Sequence, residues 1–101
     1  MPDKLLLSWN SHPAHEREII SHVSELVNRV SPLGLELRDA WYTAYGEAPQ
    51  ILLGFVLRRG SDQRIDTIVS SEEWTEILIE FQEYITDYEQ RIVKATNGFQ
   101  F

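Results

Sequence analysis

Cysteine is absent from the 101 residues, which excludes a disulfide framework, a thiolate zinc site and a cysteine nucleophile. The fold must rest on burial alone. Basic residues are few: nine Lys and Arg stand against sixteen Asp and Glu, a formal net charge of -7. That balance opposes a phosphate backbone or an anionic bilayer surface, so no nucleic-acid partner and no membrane partner is expected. Long apolar runs are also missing. The longest, such as Leu5-Leu6-Leu7 and Ile51 to Leu57, fall well short of the ~20 residues that span a bilayer. The opening Met-Pro-Asp-Lys-Leu-Leu-Leu has too short an apolar stretch for a secretory signal and no small-residue cleavage site, and the expected location is cytoplasmic. No P-loop, GxGxxG, GxSxG, HExxH or EF-hand sequence occurs. Nucleotide-dependent enzymes are therefore poor candidates, and no cofactor and no metal is expected.

With 43% hydrophobic and 25% charged residues, the chain has the composition of one small soluble globular domain over residues 1–101. Lys4 to Asn10 carries Leu5, Leu6, Leu7 and Trp9 and reads as a strand. Pro13 suits a first helical position, with Ser11 or His12 as the cap. Ile19, Ile20, Val23, Leu26, Val27 and Val30 then recur at helical spacing up to Pro32 and Gly34. Leu35 to Tyr45 has strand composition, Gly46 to Pro49 is turn chemistry, and Ile51 to Leu57 is an almost wholly apolar strand, so the two form a hairpin. Ile65, Ile68 and Val69 mark a short helical turn. Ser70 and Glu73 fit a capping box, and Trp74, Ile77, Leu78, Phe81, Ile85 and Tyr88 predict a second amphipathic helix from about Glu72 to about Asp87. Glu89 to Ala95 reads as a fourth strand, followed by a tail from Asn97.

Strand, helix, strand, strand, helix, strand is the βαββαβ order of a ferredoxin-like α+β fold, a four-stranded antiparallel sheet with two helices on one face. The first and third strands are apolar on both faces, whereas two helices cover only one. A large exposed apolar face is seldom tolerated in a monomer, so the expected assembly is a homodimer through the open sheet face.

In this element order the chain resembles the dimeric α/β-barrel superfamily of ferredoxin-like proteins, in particular its small stress-responsive, antibiotic-monooxygenase-like and NIPSNAP-like members. The resemblance covers about Lys4 to Ala95. It rests on Trp41-Tyr42-Thr43-Ala44-Tyr45-Gly46, on the apolar Ile51-to-Leu57 strand and on Ser70-Ser71-Glu72-Glu73-Trp74. It implies two sheets packed across a dimer and a small apolar or aromatic molecule handled in a cavity between them. Cofactor-independent oxygenases and haem-degrading enzymes of that kind use an Asn near the end of the first strand with a Trp and, for haem, a His on the second helix. Asn10 matches and Trp41 or Trp74 can serve, but the second helix has no His, so the haem-degrading pattern is not met.

Asn10 and Ser8 share a strand face near its end, and His12 stands beside Asn10 at the turn as a candidate general acid or base. Asp39, alternating with Leu37 and Trp41, is a candidate base if burial raises its pKa. The alternative for Asn10 is a turn-capping role. Trp41, Tyr42 and Tyr45 offer aromatic surface for a hydrophobic ligand, with Ser8 as a polar contact; their alternative is core or interface packing. His15, Glu18 and His22 lie on one helix flank, but their spacing is not a known metal signature. Three functions follow: a small-molecule-binding homodimer, a cofactor-independent monooxygenase or isomerase using Asn10, His12 and Asp39, or a dimerisation domain without a ligand.

Overall fold

The computed structural model describes residues 3–47 and 49–94, apart from the side chain of Glu16. Ala48 in the hairpin turn and the tail expected from Asn97 lie outside the described residues. The strands are β1 (Asp3–Ser11), β2 (Leu35–Tyr42), β3 (Ile51–Leu57) and β4 (Ile85–Lys94), and the helices are α1 (Ile19–Val30), α2 (Ile65–Val69) and α3 (Glu72–Phe81). The strands form one antiparallel sheet in the order β2-β3-β1-β4. This is the expected ferredoxin-like topology.

Period-2 alternation decides what each strand buries. Leu5, Leu7 and Trp9 of β1 pair with Phe55, Leu53 and Ile51 of β3, and all six are buried under the helices. From above, Leu26 and Val30 of α1, Ile65 and Ile68 of α2, and Trp74, Ile77 and Phe81 of α3 close the same core. Full burial of each such side chain contributes about 1.5–3 kcal/mol. Lys4, Leu6, Ser8 and Asn10 of β1 point to the other face, which no described helix covers.

The approach to α1 is less regular than Pro13 alone implies. Residues Pro13–Glu18 form a tight 3-10 segment with a kink at His15 (φ -122°) before the α-helix proper begins. His12 does act as a cap, its ring Nδ1 accepting from the Ala14 amide at 3.3 Å. At the far end Gly34 adopts φ 98° and its amide returns to the Ser31 carbonyl at 3.0 Å, a backbone geometry that favours glycine.

Three boundaries differ from the sequence expectation. The cap of α3 is Ser71, whose hydroxyl accepts from the Trp74 amide at 3.3 Å, while Ser70 terminates α2. Strand β2 stops at Tyr42, three residues early, leaving Tyr45 94% exposed beyond it. The largest change is at Gln82 to Tyr84. There the chain turns, and Ile85 and Tyr88 belong to β4 instead of the second helix. A bulge opposite Ser8 to Asn10, with Asp87 at φ 54°, shifts the strand's alternation by one. Ile85 and Tyr88 therefore pack on the same core from a strand, at the i, i+3 spacing of a helix. Burial holds the Tyr88 hydroxyl protonated by pushing its pKa up, and it donates to Gln90 Oε1 at 2.7 Å. The same oxygen accepts from Trp74 Nε1 at 3.2 Å, tying β4 to α3.

Candidate functional site

Exposed aromatic and aliphatic residues gather where α1 overhangs the β2 edge of the sheet. Ile20 is 80%, Trp41 58% and Tyr42 60% exposed. Ile19 and Val23, one helical turn apart, form one wall with Ile20 and Ser24; Ala40, Ile51 and Leu53 form the floor. Ala40 pairs with Leu53 and Tyr42 with Ile51, so both point to the helix side. Where a large residue at position 40 would fill the gap, the alanine methyl leaves it open. The result is an apolar pocket of about 560 Å³, with Trp41 and Tyr42 in its lining and Arg17 as its one charged lining residue. Both aromatics were expected as ligand contacts. Arg17, Ile20 and Ala40 were not, because their part depends on how α1 crosses β2.

This pocket is a different place from the cavity expected between the two sheets of a dimer: it lies between helix and sheet of one chain. Ser8 and Tyr45 do not line it. On the open face the cross-strand register builds rows. Trp41, Leu52, Ser8 and Glu89 form one row, and Asp39, Gly54, Leu6 and Arg91 form the next. A bulge between Leu37 and Asp39 moves Leu37 to the helix side, so Asp39 shares its face with Trp41 alone of those two expected neighbours. Asp39 is the partner of Lys4, with Nζ to Oδ2 at 2.6 Å. The pair crosses above Gly54, where a β-carbon would lie 3.1 Å from Asp39 Oδ2.

Both ends of the Asn10 amide are engaged. Its Oδ1 accepts from the Gln50 amide at 2.8 Å and its Nδ2 donates to Asp87 at 3.0 Å, so one amide links the β3 entrance, β1 and the β4 bulge. The Gln50 side chain answers by accepting from the Ser11 amide at 2.7 Å. His12 is exposed, and its backbone amide donates to the Tyr84 carbonyl at 2.8 Å. Asn10, His12 and Asp39 thus have separate partners. Asn10 is four residues along β1 from Leu6, in the row of Asp39, a separation of about 13 Å at strand rise.

A second polar grouping stands at the start of α1. Glu18 Oε2 lies 3.2 Å from Nε2 of the buried His22 and 3.8 Å from His15 Nδ1. His22 stacks on Tyr84 with centroids 4.3 Å apart, and His15 meets the same ring edge-on at 5.1 Å. Glu83 raises the Tyr84 pKa, first by its hydrogen bond and then by its charge, keeping the phenol protonated. Among the described residues no group of three or more His, Asp or Glu side chains is disposed to hold a metal ion. No described helix is long and apolar enough to cross a membrane.

No family model and no curated protein matches the chain. Its fold, however, is shared with solved structures. A NIPSNAP family protein from Agrobacterium tumefaciens superposes with a TM-score of 0.65 at 16% identity, over 96% of this chain and 95% of that one. An uncharacterized NIPSNAP-like domain protein from Burkholderia xenovorans gives 0.60 at 19% identity, over 98% and 88%. A protein from Mycobacterium tuberculosis gives 0.63 at 14% identity, over 99% and 100%. At these identities the likeness is one of fold, and at that level it bears out the resemblance to NIPSNAP-like proteins drawn from the sequence.

Proposed function

We propose that the chain is a small-molecule-binding homodimer, paired through its open sheet face, that holds an apolar or aromatic compound in the pocket between α1 and the Trp41-Tyr42 end of β2. The observation that carries the binding half is the apolar pocket of about 560 Å³ rimmed by exposed Ile20, Trp41 and Tyr42, a size and lining that suit an organic ligand. The pairing half is supported by the open face itself, where Leu6, Leu52 and Val56 stand side by side on adjacent strands with no described element over them. Binding is preferred to catalysis because Asn10 and Asp39 spend their polar atoms on structural partners and neither lines the pocket.

Native mass spectrometry of freshly purified, untagged protein tests both halves at once. The expected result is a dimer carrying a retained small mass, or one that takes up 4-phenylbutan-1-ol when it is added. A monomer at micromolar concentration overturns the pairing. A protein that neither retains nor takes up a compound overturns the binding.

A further inference from the structure

The pocket's charge is as informative as its shape. Of its ten lining residues, seven are alanine, aliphatic or tryptophan, two carry hydroxyls (Ser24 and Tyr42), and one, Arg17, carries charge. Other arginines of the chain are committed: Arg29 to Glu80, Arg38 to Glu36, Arg58 to Ser31, Arg64 to Asp66 and Arg91 to Glu89. Lys4 is held by Asp39. Among the described residues Arg17, Arg59 and Lys94 make no ion pair and no side-chain hydrogen bond, and only Arg17 of these lines an apolar pocket.

A guanidinium with no partner among the described residues, beside an apolar pocket, selects for a ligand that brings its own anion. In a chain of net charge -7, anions gain nothing from the overall field, so recognition must come from that local cation. A planar guanidinium matches a carboxylate through two parallel hydrogen bonds, and partial exclusion of water strengthens them. A single cation cannot balance a polyphosphate, and the lining offers no second one. We infer that the pocket takes a monocarboxylate with an aromatic or aliphatic body, the body lying between Ile20, Val23 and Tyr42 and the carboxylate on Arg17. This inference rests on the small-molecule-binding reading above and narrows it to one chemical class.

Equilibrium dialysis of the native protein with 4-phenylbutyrate and with 4-phenylbutan-1-ol, matched in carbon skeleton and different in charge, tests it. The acid is expected to bind about tenfold more tightly than the alcohol, the margin of a charge-assisted hydrogen bond. Arg17→Gln, at an exposed position outside the core, is expected to remove that margin by weakening the acid alone. Equal affinities in the native protein, or an Arg17→Gln protein that keeps the preference for the acid, overturn the carboxylate assignment while leaving an apolar pocket in place. Failure of both compounds to bind overturns the carboxylate assignment and the binding reading together.

Discussion

Asp39 and Gly54 face each other across the β2–β3 ladder, and a β-carbon at Gly54 would sit 3.1 Å from the Asp39 carboxylate and 3.4 Å from its Cβ. The glycine is there for space, since its backbone is not among those with positive φ. Gly54→Ala is expected to push Asp39 off Lys4 and cost about 1–3 kcal/mol, the usual range for overpacking. In an Asp39→Ala background the same change should cost clearly less. Urea unfolding of the four proteins of this cycle measures the coupling, and equal costs in both backgrounds would refute the steric account.

Asn10 joins three segments with one side chain. Asn10→Ala removes a partner from the part-buried Gln50 amide and from the exposed Asp87 carboxylate, and a loss of about 0.5–1.5 kcal/mol is expected. Ser8→Ala, two residues earlier, is the control: Ser8 makes no side-chain hydrogen bond among the described residues, and its change should stay within about 0.5 kcal/mol. Comparable losses at both sites in denaturant titrations would show that Asn10 carries no special load.

Leu52 stands half-buried in the row between Trp41 and Ser8 on the open face. Leu52→Asp should convert the proposed dimer to a monomer in sedimentation velocity while the far-ultraviolet circular dichroism is retained. Ile79→Asp, at a position 58% exposed on α3, should leave the dimer whole. A dimeric Leu52→Asp protein rules out pairing through this face.

Arg29 and Glu80 join α1 to α3 across the solvent surface. The Arg29 hydrogen bond lowers the Glu80 pKa against a smaller opposing effect of desolvation, and the Arg29 charge adds a lesser lowering. A depressed carboxylate contributes its stability above the ordinary glutamate range and loses it as pH falls through the depressed value. The urea midpoint of the native protein should therefore exceed that of Glu80→Gln at neutral pH, by a small margin that added salt reduces. Below the depressed pKa the two midpoints should converge. A difference that persists unchanged in acid would assign the effect to packing.

Most of the architecture is legible in local patterns, because alternation in β1 and β3 and helical spacing from Ile19 to Val30 report burial directly. What escapes the sequence is wherever a bulge changes parity. Asp87 hides the start of β4 by giving Ile85 and Tyr88 the spacing of a helix, and the bulge after Leu37 puts Asp39 on the face opposite its apparent companion. Both are set by pairing with distant strands, which no window of adjacent residues contains. The pocket was half legible. Trp41 and Tyr42 announce themselves as aromatics in a strand, whereas Arg17 acquires meaning only when α1 lies beside Ala40. Helical spacing puts His15 and His22 on one flank, but the ring that organises them, Tyr84, comes from sixty-two residues further along the chain than His22.

The strand order has a consequence for how this sheet is completed during synthesis. Strand β1 is interior, hydrogen-bonded to β3 on one side and to β4 on the other. Residues 3–11 emerge from a ribosome before the rest of the sheet, yet one of their flanks stays bare until residues 85–94 have followed. Asp3 meets Lys94 at the far end of that ladder. Such pairing makes closure a late, long-range event, and a nascent chain stalled before β4 presents an uncovered edge rich in leucine to whatever else is in reach.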